Sequence, residues 1–220
     1  MGPEGSNLRI SENGQEFFVL EQLYYKQNGY FVDIGASDGV TGSNTYILEK
    51  FYKWNGICAD PNPSTLKSLC GARDSIICDL CVHSETGKIL PFQFLYDQSL
   101  FYGWNLRSGI KGIIKDPGVD FAEINVLSIS LNDLLELYRA PSVIDYISLD
   151  VEGNEFNILS NFNFDKYHIN CLTVEHDFGE MQQNIRSLLY AKGFELVTDT
   201  FCDHEDWFIN KNLIINSQKA

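Results

Sequence analysis

The chain has 220 residues, a length that suits one domain with a full core. Its 30 acidic and 16 basic residues give a formal charge of −14, which disfavours a nucleic-acid backbone or an anionic membrane surface as main partner by repulsion. Hydrophobic residues make up 44%, which excludes a disordered chain, and no apolar run approaches the roughly 20 residues of a membrane-spanning helix.

Met1 to Ser6 (MGPEGS) reads as a vector remnant and is set aside, which leaves 7–220 as a single domain. A remnant joined directly to an ordered domain suggests a piece of a longer protein. The N-terminus is not of signal type, so a cytoplasmic location is expected. Gln15 to Lys26 then carries Phe17, Phe18, Leu20, Leu23 and Tyr24, a helical stripe. Tyr30 to Ile34 is a short apolar run that stops at glycine, a strand. Ser43 to Tyr52 returns to helical spacing, and Gly56 to Asp60 is a second strand closed by Pro61-Asn62-Pro63. A short helix over Ser64 to Leu69 and a third strand over Ser75 to Val82 follow. Cys78 and Cys81 form a CxxC within that strand, where residues three apart face opposite ways. No second pair completes a zinc site, so the cysteines read as reduced core thiols.

The stretch from 90 to 126 is weakly periodic and rich in aromatics and glycine: Phe92, Phe94, Tyr96, Phe101, Tyr102, Trp104, Gly109, Gly112 and Gly118. It reads as an inserted acceptor-binding loop, or as a small antiparallel excursion whose aromatics fill core. Helix Ser130 to Tyr138, strand Ile144 to Val151, helix Asn154 to Asn161, strand Cys171 to Glu175 and helix Gly179 to Lys192 restore the alternation. Phe194 to Thr198 and Trp207 to Asn210 close the chain as an antiparallel hairpin at a sheet edge. Strands alternating with helices imply an α/β fold with a mostly parallel sheet, helices on both faces, and a ligand beyond the carboxyl ends of the strands.

Four polar clusters fall at those ends. Asp33-Ile34-Gly35-Ala36-Ser37-Asp38-Gly39 runs from a strand into a glycine turn that lets backbone approach a ligand. Asp60 ends the next strand 21 residues past Gly39, the place of an acid that grips ribose hydroxyls. Asp150 and Glu152 share one side of the strand Ile144 to Val151, where close carboxylates raise a pKa or bind a cation. A dipole-complementing helix start explains Glu155 but not Asp150, which sits at the end of an apolar strand. Glu175-His176-Asp177 ends the neighbouring strand, and His176 reads as structural or catalytic.

The segments GQEFFVLEQL, GYFVDIGASDG, GSNTYILEK, WNGICADPNP, IDYISLDVEGNEFNIL, TVEHD and DHEDWF together resemble the FkbM family of S-adenosylmethionine-dependent methyltransferases, from Gly14 to Phe208. Ser108-Gly109 also resembles a short family motif. The resemblance implies a Rossmann-like class I methyltransferase fold, with a seven-stranded sheet whose last strand is inserted antiparallel. It implies methyl transfer to a hydroxyl of a sugar, glycan or polyketide, with a deoxyhexose such as rhamnose or fucose as one acceptor. Asp60 stands where the family usually has glutamate, and Ser37 where it often has asparagine. Carried over, Asp33, Gly35 and Gly39 meet the methionine part, and Ser37, Asp38 and Thr41 offer partners to its carboxylate or amine. Asp60 holds the ribose and Asp79 lies near the adenine. For catalysis the resemblance leaves Asp150, Glu152 and His176, with Glu152 or His176 as base. By analogy with other sugar O-methyltransferases, a Mg²⁺-type ion on Asp150, Glu175 and His176 is a second route. A nicotinamide-dependent oxidoreductase is the competing enzyme reading, but the third glycine of GxGxxG is missing. A non-catalytic binding module is the other alternative.

If the aromatic stretch packs on the acceptor, Trp104→Ala raises the acceptor KM more than the S-adenosylmethionine Kd; equal effects would mark a packing role.

Overall fold

The structure, a computed structural model, describes residues 10–94, 108–113, 121–176, 179–197 and 204–213. The elements foreseen on Tyr96, Phe101, Tyr102, Trp104, Gly118, Asp177, Thr198 and Cys202 lie outside these residues.

The main sheet is built from β1 (Tyr30–Ile34), β2 (Asn55–Ala59), β3 (Ile76–Cys78), β8 (Val143–Leu149), β9 (His168–Glu175), β10 (Phe194–Leu196) and β11 (Glu205–Asn210). Its order is β10-β11-β9-β8-β1-β2-β3. All neighbours from β3 to β9 pair in parallel, while β11 runs antiparallel to both β9 and β10. The closing hairpin does stand at the sheet edge. Its antiparallel member, β11, is one place in from that edge, and β10 takes the edge itself.

Strand alternation feeds two cores. Val32 and Ile34 of β1 join the cluster with Ile57, Ile147 and Leu172. Phe31 joins the opposite cluster with Cys58, Tyr146 and Cys171. The helices α1 (Gln15–Gln22), α2 (Tyr46–Tyr52), α3 (Leu66–Ala72), α4 (Leu131–Leu137), α5 (Glu155–Ser160) and α6 (Glu180–Ala191) cover these faces. Ser130 caps α4 by accepting from the Asp133 N–H at 3.1 Å. Helix α1 ends four residues before Lys26, the expected boundary. Tyr24 and Tyr25 turn left-handed (φ 52° and 55°), and Lys26 folds back to pair with Asp145 at 2.7 Å.

Two other expectations change. The strand expected over Ser75 to Val82 is two strands: β3 in the main sheet and β4 (Cys81–His83) in a second one. The CxxC therefore spans the crossing between sheets; Cys78 and Cys81 are both free and buried. The aromatic middle is partly regular, with β5 (Ile89–Phe94), β6 (Gly109–Ile110) and β7 (Ala122–Ser130). The second sheet has order β4-β7-β5-β6, and its side chains Cys81, Phe92, Phe94 and Val126 form a small core. Of the two readings of 90 to 126, the antiparallel excursion therefore holds for the described residues.

Arg73, just past α3, ties the glycine loop to this frame. Its side chain is fully buried. It donates to Glu49 Oε2 (2.9 Å), the Gly39 carbonyl (3.1 Å), Ser43 Oγ (3.2 Å) and Thr45 Oγ1 (2.8 Å). Asp33 Oδ2 lies 3.8 Å from its Nη1, and Thr45 donates to the same carboxylate. Burial raises the Asp33 carboxyl, and Arg73 opposes that rise. Burial also acts upward on Glu49, but Ser75, the Asp74 N–H, Arg73 and Lys50 hold it at about 2.

Arg73→Met should strand Asp33 without a cation and leave Glu49 only Lys50, costing about 3–5 kcal/mol, read as a lower urea midpoint. Adding Asp33→Asn should restore part of the loss; an unchanged midpoint in the single variant would refute the tie.

Candidate active site

The sheet order reverses direction between β1 and β8, so the loops leaving their carboxyl ends diverge and open a crevice. Gly35 begins the first loop at φ 90°. A Cβ there would lie 1.8 Å from the Asp150 carbonyl oxygen, so only glycine lets the two loops touch. Gly39 (φ 81°) is similarly confined, since its Cβ would lie 2.7 Å from Leu69 Cδ1 and 2.9 Å from Arg73 Cγ.

A cleft of about 1540 Å³, counted out to its mouth, lies over this junction. Of the residues foreseen, Asp33, Gly35, Ser37, Thr41, Asp60, Asp150, Glu152 and Glu175 line it. Glu12 and Glu205 bring its carboxylates to seven, and among the described residues no lysine or arginine lines it. Four foreseen residues do not line it. Gly39 lies beneath the loop, against Leu69 and Arg73. Asp38 closes its own turn, accepting from the Val40 and Thr41 N–H groups at 2.8 Å and from the Thr41 hydroxyl at 2.8 Å. Asp79 is exposed past the end of β3. His176 is buried elsewhere.

His176 follows Glu175 at the end of β9, and adjacent strand residues face opposite ways. Its Nε2 lies 3.0 Å from Gln182 Nε2 and 3.4 Å from Asp206 Oδ1, on the α6 side. Arg186 holds Asp206 with two bonds of 2.7 Å. Burial pushes Asp206 up, but Arg186 and His176 bring it down to about 2. Among the described residues, Asp150, Glu152 and Glu175 place ligand oxygens within 4.8 Å of one another, a group that includes Glu152 and not His176.

Each acid in the cleft has a built setting. Asp60 is 5% exposed and bridges two loops, accepting the Ser37 and Asn62 N–H groups at 2.8 Å on different oxygens. Burial raises it to about 6 against those two bonds. Ser37 reaches it by adopting φ 48°. Asp150 is exposed to the cleft; the crowding of protein around it and then Glu175 push its carboxyl up, and the two side chains share a hydrogen bond. Glu152 sits on a left-handed residue (φ 61°), in a turn whose Val151 and Gly153 N–H groups both donate to Glu155 Oε1 at 3.0 Å. Glu155, read from sequence as a helix-dipole acid, is thus the clasp of this turn.

Sequence reasoning missed Glu205, which pairs in register with Glu175 across β11 and β9. Its Oε2 accepts from Gln15 Nε2 and Trp207 Nε1, both at 2.7 Å. Burial lifts it to about 7 despite Trp207, Gln15 and Thr173. The signal was the DHEDWF segment, whose register opposite TVEHD only strand pairing reveals.

Glu205 protonates more readily folded than unfolded, so its contribution to stability is full below pH 4.5 and is lost as pH rises through 7. Glu205→Gln, which keeps an acceptor oxygen, should flatten thermal stability between pH 5 and 8, a gain on the order of 2 kcal/mol at pH 8. An unaltered pH slope would refute this assignment.

The family model described as "Methyltransferase FkbM domain" matches residues 33–196. A search of curated proteins finds no match. Among solved structures, a precorrin-6y C5,15-methyltransferase from Geobacter metallireducens is similar at TM-score 0.47 and 10% identity, over 88% of this chain and 85% of that one. A TehB-like S-adenosylmethionine-dependent methyltransferase from Corynebacterium glutamicum gives TM-score 0.46 and 10% identity, over 94% and 91%. A methyltransferase from Pyrococcus furiosus gives 0.39 and 9%, over 88% and 79%. The family match takes in the end of β1 with its glycine loop, Asp60, the Asp150–Glu155 turn and β9, and through it the chain belongs to the FkbM methyltransferase domain family.

Proposed function

We propose that the chain transfers a methyl group from S-adenosylmethionine to a hydroxyl oxygen of a sugar or glycan. Family membership supports the methyl donor. The observation that carries the reading further is the charge of the cleft: among the described residues seven carboxylates line it, with no lysine or arginine. A sulfonium cation and a neutral acceptor suit such a cavity, whereas the pyrophosphate of a nicotinamide dinucleotide would be repelled. Raised carboxyls at its floor are what proton transfer near neutral pH needs, which also disfavours a purely binding role.

In this reading Asp60 accepts from the ribose hydroxyls while its other lone pairs hold Ser37 and Asn62. The Gly35 loop lies along the methionine part, with Ser37 and Thr41 at its side. The acceptor hydroxyl enters over Asp150, Glu152 and Glu175. Its oxygen attacks the methyl carbon in line, the carbon–sulfur bond breaks, and the sulfonium leaves as a neutral thioether. The hydroxyl proton passes to Glu152, or to the Asp150–Glu175 pair, which already shares a hydrogen bond. His176 is not the base in this geometry. The three carboxylates also form an all-oxygen donor set that fits a hard divalent cation of the Mg²⁺ type. Such an ion would supply Lewis-acid polarisation of the acceptor hydroxyl.

Calorimetric titration with S-adenosylmethionine and S-adenosylhomocysteine tests the donor. Wild-type protein should bind at micromolar level, and Asp60→Ala should lose tenfold or more. Affinity should weaken as pH falls through about 6, where Asp60 takes up its proton. Absence of binding would overturn the donor reading, and full activity after EDTA treatment would remove the cation.

A further inference from the structure

The cleft is a trough laid along one end of the main sheet. Ala59, Ile34, Leu149 and Val174 stand level across β2, β1, β8 and β9. The residues after them, Asp60, Gly35, Asp150 and Glu175, therefore form one row at the strand ends, and Glu205 on β11 continues it by pairing with Glu175. All five line the cleft. Neighbouring strands lie about 4.8 Å apart, so the row is about 19 Å long. The methyl donor as proposed takes the β2 and β1 end, and the acid group Asp150, Glu152 and Glu175 stands over β8 and β9. One further strand step, close to the length of a pyranose residue, separates Glu175 from Glu205 and is used by neither.

That outer end is a built surface. Gln15 Nε2 donates to Glu205, and the Gln15 side-chain oxygen accepts the Asn13 N–H at 3.0 Å. Glu16, fully buried, holds the segment before it: its carboxylate accepts the Ile10 N–H at 2.9 Å, the Ser11 N–H at 3.3 Å and the Ser11 hydroxyl. Ser11 in turn bridges to Gly42, so the chain at Glu12 and Asn13 is pinned along the cleft wall. Glu12 and His204 are exposed and Asn13 is half-buried, and all three line the cleft with Gln15 and Glu205. Among the described residues no apolar side chain belongs to this group. An amide both donates and accepts and a carboxylate accepts, which together suit hydroxyl groups, since each hydroxyl does both. A phosphate or carboxylate placed there would meet Glu12 and Glu205 and be repelled.

We propose that this outer end is a second saccharide subsite, so that the acceptor is an uncharged glycan of at least two residues, one over Asp150 and Glu175 and its neighbour against Glu12, Asn13 and His204. The proposal rests on the reading of the acceptor as a sugar hydroxyl and adds its minimum length and the residues that recognise it. Binding of the remote ring holds the reacting hydroxyl in line with the methyl group, so its contribution appears in kcat/KM.

The test is the initial rate of methyl transfer from S-adenosylmethionine by the full chain. The acceptors are the methyl glycosides of rhamnose, fucose, glucose, galactose, mannose and xylose, and disaccharides that carry each of these at the non-reducing end. For a sugar that is methylated, the disaccharide should exceed its own methyl glycoside about tenfold in kcat/KM, some 1.4 kcal/mol. In Glu12→Ala and in Asn13→Ala that ratio should fall to about threefold or less, with S-adenosylhomocysteine titration as the check that each variant is folded. Methyl glycosides that match their disaccharides in the wild-type protein would overturn the proposal without any variant. A ratio that stays tenfold in both variants would overturn the assignment of the subsite to this end of the trough. Methylation of none of these sugars would overturn the sugar reading itself; a failure of the subsite alone leaves the methyl glycosides methylated, which separates the two.

Discussion

The contact on which this structure turns is that of Gly35 with the Asp150 carbonyl. Two parallel strands, β1 and β8, end side by side, and their loops must leave in opposite directions. A side chain at position 35 would hold the loops apart, because its Cβ would fall inside the Asp150 carbonyl oxygen. With glycine there, the Asp33–Asp60 half of the cleft and the Asp150–Glu175 half share one floor. Chemistry that needs a held donor and an activated acceptor within bonding distance requires that closeness.

Closeness of acids is costly, and the fold answers it unevenly. On the Asp33 side a buried cation is present: Arg73 is threaded under the glycine loop, satisfied by Glu49, Ser43, Thr45 and the Gly39 carbonyl. On the Asp150 side no lysine or arginine lines the cleft among the described residues, and the crowding of protein around the exposed Asp150, followed by Glu175, raises its carboxyl instead. The first half is a buried, hydrogen-bonded support, and the second carries a raised carboxyl. Asp60 stands between them, fixed by two backbone donors yet still pushed up to about 6. The second sheet walls the Asp60 side with Val82, Phe92 and Ile110, which accounts for the aromatic stretch having its own small core.

Much of this was legible in the chain. Tyr30 to Ile34 is a strand with the boundaries its apolar run and Gly35 imply. Asp33, Asp60, Asp150, Glu152 and Glu175 were all legible as strand-end acids, and all five line one cleft. Where the structure departs from these readings, the cause is shared. His176 was grouped with Glu175 by sequence adjacency, although the period of two sends neighbours to opposite faces. The stretch Ser75 to Val82 read as one strand because apolar runs do not reveal that Asp79 and Leu80 cross between sheets. Asp38 read as a ligand group because it is acidic and in the loop; the structure shows its oxygens bonded within the turn.

The sequence by itself determined the alternation of strands and helices, the glycine turn, the acids that end the strands and the family to which they belong, since these depend on residue type and near spacing. Only the tertiary structure decided which acids meet, that Glu205 completes the cleft beside Glu175, and that Arg73 neutralises the Asp33 side. Those are relations between residues far apart in the chain, set by strand order and register, and by burial that no local pattern encodes.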